Sequence, residues 1–307
     1  MSLAVTAFNQ IIIMFLIIVV GILCYKVKLI DQNMNKKLSE LVLLLINPLV
    51  IFLAYQREFD TSLLSGLLVS IILAFATHLL SIFLSKIVIR SKKNKEDLAI
   101  ERFAIIYSNC GFMGIPLVNG IFQSEGVFYL TAYITVFNLV IWTHGLITMS
   151  GKNDKKSVIK AMLSPAILAT VIGFIFFISK IMLPDIVNKT FTYIADMNTP
   201  MAMLVAGVTI AQTNIIKLFT KIRIYYIALF KLIIIPMVML FLFSLLPIPR
   251  TVLLTSILAC ACPTAVTVNL FSIRYNKNYL YASEIFALTT ILSLFSIPIV
   301  MILANLI

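Results

Sequence analysis

Ten apolar runs of about 20 residues follow one another along this chain of 307 residues, leaving little sequence for anything else. A run of that length crosses the roughly 30 Å hydrocarbon core of a bilayer as an α-helix. Lipid offers no partner for backbone donors and acceptors, so helices closed on their own hydrogen bonds are the expected elements. The fold class read from this pattern is an all-α polytopic membrane protein with ten transmembrane helices. The spans fall near 4–25, 38–56, 62–89, 100–122, 127–149, 161–183, 191–213, 222–246, 251–273 and 281–304. Composition agrees: 61% of residues are hydrophobic, 12% are charged and the mean hydropathy is +1.08, outside the soluble globular range. The first run continues to Cys24 with no basic region ahead of it and no small-residue cleavage site, so it reads as a retained span.

The formal charge of +12 has a topological explanation. With residues at span ends counted to the adjoining connection, nineteen of the 24 lysines and arginines fall in the odd-numbered connections and four in the even-numbered ones, and Lys231, well inside a span, completes the count. The positive-inside rule then places the odd connections in the cytoplasm and both termini outside a plasma membrane. A miscounted span would scramble this alternation. The basic excess therefore predicts no nucleic-acid partner. The four cysteines, Cys24, Cys110, Cys260 and Cys262, lack the paired spacing of a zinc site and read as buried thiols, so no metal and no cofactor is expected. No nucleophile with a base and no phosphate loop appears, and the chain does not read as an enzyme.

The polar segment 151–160, GKNDKKSVIK, divides the spans into five and five. It reads as a cytoplasmic linker between a first repeat over 1–150 and a second over 161–307. Five is odd, so a second repeat would enter the membrane with the opposite orientation, a plan common among secondary transporters. Internal matches support this. Asn47-Pro48 in the second span corresponds to Asn198-Thr199-Pro200 in the seventh. The fourth span carries Asn109, Gly111, Gly114 and Pro116, and the ninth carries Pro263, Thr264, Thr267 and Asn269. Proline and glycine in membrane helices also mark kinks and close packing. Interruptions at corresponding places of two halves are nonetheless the best sequence pointer to a transport site.

The string Asn109-Cys110-Gly111-Phe112-Met113-Gly114-Ile115-Pro116-Leu117 resembles the fourth-helix motif of the auxin efflux carrier family. Lys231 with Pro236, the segment from Asp196 to Gly207, Pro263, the Arg274-Tyr275 pair and the last span through Pro298 are similar in spacing to the family's other helices. The compact central linker is similar to the bacterial branch, which includes malate and malonate permeases. The resemblance covers essentially the whole chain. It implies two inverted five-helix repeats similar to bile-acid sodium symporters, with broken helices 4 and 9 crossing to form the substrate site. It also implies a scaffold of helices 1, 2, 6 and 7 and elevator-like movement of the rest. Two positions depart from the plant members: Ser164-Pro165-Ala166 lacks their asparagine, and Val268 stands where they have a second proline. Auxin is therefore not the expected substrate, whereas carboxylate recognition is.

A carboxylate inside a membrane needs donors that replace water. A break at Gly114 to Pro116 would present backbone amides at a half-helix N-terminus, and a break around Pro263 would do so from the opposite direction. The candidate substrate-binding residues are Asn109, Gly111, Gly114, Pro116, Pro263, Thr264 and Thr267, with Asn47 and Asn198 facing them from the scaffold or serving as interhelical hydrogen-bond partners. Lys231 is read either as a snorkelling or structural cation, or as a counter-charge for an anionic substrate or for Asp196. Asp196, His78 and His144 are candidates for proton coupling, each with a plainer structural reading beside it. Glu101, Glu125 and Glu284 fall near span ends and are expected to be solvated. The function expected is secondary active transport of small organic anions, mono- or dicarboxylates such as malate or malonate. A channel and a carboxylate-binding sensor are the alternatives. Coupling to protons or to sodium stays open, and the reading admits a homodimer.

Overall fold

The structure is a computed structural model that describes residues 3–90, 95–151, 163–213, 218 and 220–306. Residues 152–160 of the expected linker lie outside the described residues. Among the described residues there are helices and no strands, apart from one isolated antiparallel bridge. In chain order the helices are α1 (Leu3–Lys26), α2 (Gln32–Ala54), α3 (Thr61–Val88), α4 (Lys95–Ile106), α5 (Cys110–Ser150) and α6 (Pro165–Ile178). They continue with α7 (Asp185–Ala195), α8 (Asn198–Ala211), α9 (Ile222–Ser244), α10 (Arg250–Ala261), α11 (Thr267–Arg274) and α12 (Tyr279–Leu306).

Among the described residues, seven helical segments are long and apolar enough to cross a membrane: α1, α2, α3, α5, α9, α12 and the stretch Asp185–Ala211. The expected fourth and fifth spans are not separated by a loop. The second part of the fourth and the whole of the fifth are two helices joined directly at a kink at Gln123, whose backbone is non-helical with φ 54° and ψ −150°, and α5 comprises both. The expected sixth and ninth spans contribute the shorter apolar helices α6 and α10. Helix α2 begins at Gln32, earlier than hydropathy suggests, because Asp31 accepts the Met34 amide at 2.7 Å and caps it.

Proline does not end these helices where it stands. Asn47-Pro48, Ile115-Pro116 and Ile235-Pro236 each follow directly on a π-helical turn, at Val42–Ile46, Cys110–Gly114 and Phe230–Ile234. Proline removes one amide and crowds the carbonyl four residues back; a wider turn accommodates the ring and lets the helix continue. The break expected at Gly114 to Pro116 is thus corrected. The helix passes through both residues, and the chain leaves helical geometry earlier, at Tyr107 to Asn109.

Helices α5 and α12 are mostly buried, whereas α1, α2 and α3 carry exposed apolar side chains such as Leu16, Leu44 and Ile72. Without a hydrophobic force between helices in lipid, small residues allow the closest contacts. Gly21 of α1 and Gly207 of α8 show this: a Cβ on Gly207 would stand 3.0 Å from the Gly21 Cα, and one on Gly21 would stand 3.1 Å from the Gly207 Cα. Two of the three glutamates expected to be solvated are paired instead. Arg223 Nε and Nη2 donate to Glu101 at 2.9 and 2.6 Å, Tyr281 Oη donates to the same carboxylate at 2.9 Å, and Lys221 pairs with Glu284. A carboxylate buried on α4 is satisfied by fork geometry and a hydroxyl, joining the starts of α9 and α12 to α4.

Candidate functional site

The chain stops being helical at two places inside apolar stretches, Tyr107 to Asn109 between α4 and α5, and Cys262 to Val266 between α10 and α11. These two places meet. The Asn109 amide donates to the Pro263 carbonyl at 2.7 Å, the Ala265 amide donates to the Tyr107 carbonyl at 2.9 Å, and Ser108 and Thr264 form the antiparallel bridge. Backbone groups freed by each break, which lipid could not satisfy, are satisfied by the other. The C-terminal ends of α4 and α10 and the N-terminal ends of α5 and α11 therefore converge on one crossing. The first amides of α5 and α11 carry the partial positive charge of helix N-termini toward it.

The expected site residues divide around this crossing. Asn109 is 4% exposed, caps no helix with its side chain, and its Nδ2 has no partner among the described residues. Thr267 Oγ1 and Asn269 Oδ1 are unpartnered in the same sense. Gly111 faces α2: a Cβ there would lie 3.7 Å from Asn47 Nδ2, and Asn47 Oδ1 accepts a hydrogen bond from Asn198 Nδ2. Asn47, Asn198 and Gly111 are therefore brought together beside Asn109. Pro263 supplies the carbonyl of the crossing. Thr264 is fully buried and turned inward, its hydroxyl donating to the Ala104 carbonyl at 3.0 Å and its amide to Thr289 Oγ1 at 3.3 Å. Gly114 packs toward Cys262 Sγ and Leu130, and Pro116 offers its carbonyl to Gln10 Nε2 at 3.1 Å.

Two cavities reach toward the crossing from opposite ends of the same helices. One of about 230 Å³ lies at the end of α2 and the start of α8, and includes Pro116, Asn119, Ser124, Asp196 and Asn198. The other, of about 440 Å³, lies at the start of α2 and the end of α8, and includes Lys36, Phe112, Thr209, Gln212, Asn269 and Arg274. Asn198 of the Asn47 pair lines the smaller cavity, and Val266, at the end of the second break, lines the larger one.

Lys231 is 1% exposed, so it does not snorkel. Its Nζ donates to the Cys260 carbonyl at 3.3 Å, one of the last carbonyls of α10, where the helix leaves acceptors without intrahelical partners. The ammonium thus caps the negative end of the half-helix that leads into the break. Asp196 is exposed, lies in the smaller cavity, and forms no ion pair with Lys231. His78 is buried with Nδ1 against the Ala74 carbonyl at 2.7 Å, and half-buried His144 places Nδ1 3.0 Å from Tyr107 Oη. All cysteines are free, and Cys110, Cys260 and Cys262 are buried.

Sequence reasoning missed Tyr107, whose carbonyl holds the crossing and whose hydroxyl joins His144 and, at 3.2 Å, the Val140 carbonyl. The run Tyr107-Ser108-Asn109 was the available signal, three residues with polar groups in an apolar segment. It also missed Asn35, whose Nδ2 donates to Thr209 Oγ1 at 3.1 Å across the larger cavity.

A search of curated proteins returns no match at a significant level. A family model described as membrane transport protein matches residues 6–301. Spanning helices, two breaks that satisfy one another, and a match over nearly the whole length lead to one conclusion: the chain belongs to the membrane transport protein family, that of the auxin efflux carriers, and is a multi-pass membrane transporter.

Proposed function

We propose that this transporter is a secondary carrier of small organic anions, mono- or dicarboxylates, which bind at the crossing of the two interrupted helices. The observation that carries this reading is the unpartnered, buried Nδ2 of Asn109, set beside two half-helix N-termini. An amide donor and oriented backbone amides can hold a carboxylate without a permanent charge, which suits a site that must also release it. The larger cavity adds Lys36 and Arg274 against one carboxylate, Glu40, so an anion enters it with the field.

Ten spans in two inverted halves fit this reading. If Lys95 to Phe122 and Arg250 to Arg274 each cross once through their breaks, the fourth and ninth segments correspond. An inverted repeat brings equivalent residues together on its axis. Asn47 with Asn198, and Ser108 with Thr264, are such pairs. Alternating access then follows from two cavities separated by the crossing, with the α2 and α8 asparagines on the fixed side and α5 and α11 on the moving side. The basic connections orient the larger cavity toward the cytoplasm of a plasma membrane and both termini outside.

Counterflow tests the proposal. Proteoliposomes preloaded with unlabelled malate, malonate or monocarboxylates should accumulate labelled malate transiently and saturably. Flux that rises linearly with concentration and shows no counterflow would indicate a channel, and binding without any flux would indicate a sensor.

A further inference from the structure

A third cavity, of about 240 Å³, lies away from the crossing, between the end of α3, the helix α4 and the end of α5. Its polar lining is Ser85, Lys86, Arg102, His144 and Thr148, and among the described residues no carboxylate lines it. The sequence of α4 produces this by helical spacing. Leu98, Arg102 and Ile106 stand four residues apart on the face turned to this cavity. Asp97 and Glu101, also four apart, lie in a different pocket with Arg223 and Tyr281. Asp97 and Glu101 are thereby set on a different side of this short helix from Arg102.

Arg102 directs Nε at 3.3 Å and Nη2 at 3.1 Å to the Ile89 carbonyl just beyond α3, which fixes its guanidinium plane and leaves Nη1 over. Lys86, on the last turn of α3, is exposed, and His144 Nδ1 is engaged with Tyr107, leaving Nε2. Exposed Phe83, Ile87 and Ile147 flank these polar groups on α3 and α5, an apolar border of the kind that acyl chains cover. We propose that this cavity binds a phosphate group, with Arg102 as the oriented fork and Lys86 as the mobile point charge. Basic pockets between membrane helices take anionic lipid headgroups, and the apolar border favours that source over free phosphate. Through the His144 to Tyr107 contact, the bound phosphate sits one residue away from the backbone that holds the crossing.

Native mass spectrometry of the intact protein in detergent, titrated with phosphatidylglycerol, phosphatidylcholine or inorganic phosphate, tests this assignment. Phosphatidylglycerol should be retained in preference to phosphatidylcholine. Lys86→Gln should weaken its retention about five-fold, and Lys86→Gln with Arg102→Gln further, since each basic residue near a headgroup contributes about that much. Lys180→Gln, just past the end of α6, should leave retention unchanged. Should Arg102→Gln fail to fold, the exposed Lys86→Gln carries the test alone. Retention of inorganic phosphate that depends on Lys86, without such dependence for the lipid, would support the site and assign it to free phosphate. Retention of both ligands independent of Lys86 and Arg102 would overturn it.

Discussion

Pro116 and Pro263 mark the fourth and ninth apolar stretches of the sequence, yet the backbone treats them differently. Around Pro116 the helix widens into a π turn and continues; around Pro263 it stops for five residues. The first proline has its own helix on both sides, and its carbonyl is met by a side chain, Gln10 Nε2. The second lies against Tyr107 to Asn109, which supply one donor and one acceptor in return. A membrane helix breaks where a partner exists for the groups it frees, and residue type alone does not set the place. Helix ends facing water follow a third pattern, in which a side chain such as Asp31 or Asp60 does the capping.

The largest effect is expected from removing one of the two crossing bonds. Ala265→Pro deletes the amide that the Tyr107 carbonyl accepts and should cost about 3 kcal/mol in thermal unfolding in detergent, with transport abolished. Unchanged unfolding would mean the crossing does not hold the breaks together. Lys231→Met should cost about 2 kcal/mol by leaving the Cys260 carbonyl unpaired. A gain in stability would instead show that desolvation of the ammonium outweighs its bond. Pro116→Ala should change stability by less than about 1 kcal/mol, because the helix already passes through that position and its carbonyl keeps Gln10. A collapse of the fold would make Pro116 a true break after all.

The smallest effect lies at the water-facing cap. Asp60 accepts the Ser62 amide at 2.7 Å, and that bond holds its carboxyl below the usual carboxylate range. The sign follows: the cap is fully present above the ordinary value near about 4 and is lost as pH falls through the lowered folded value. Unfolding midpoints of wild type and Asp60→Asn should therefore converge as pH drops below about 4 and separate above it. Parallel profiles would remove Asp60 from the account.

Periodicity and charge made the membrane class legible, and the Asn109 to Leu117 string made the family legible. Asn109, Asn47 and Asn198 were visible because polar amides in apolar runs have few plain explanations. The position of the first break was not visible: Gly114 and Pro116 look like stronger breakers than Tyr107 and Ser108, and only the approach of Pro263 reverses that order. The role of Lys231 was hidden for a related reason, since its partner is a backbone carbonyl released by a break on another helix. Glu101 looked solvated from its place near a span end, and Arg223, 122 residues away, buries it.

Asn109→Ala in the counterflow assay tests the central claim most directly, with Asn119→Ala in the smaller cavity as the comparison. Asn109→Ala, in protein shown to unfold with the wild-type midpoint, should raise the half-saturating anion concentration at least about ten-fold, as loss of a hydrogen bond to a charged group would. Asn119→Ala should change it little. Saturable exchange at an unchanged half-saturating concentration in Asn109→Ala would contradict the claim, and would move the binding site away from the crossing.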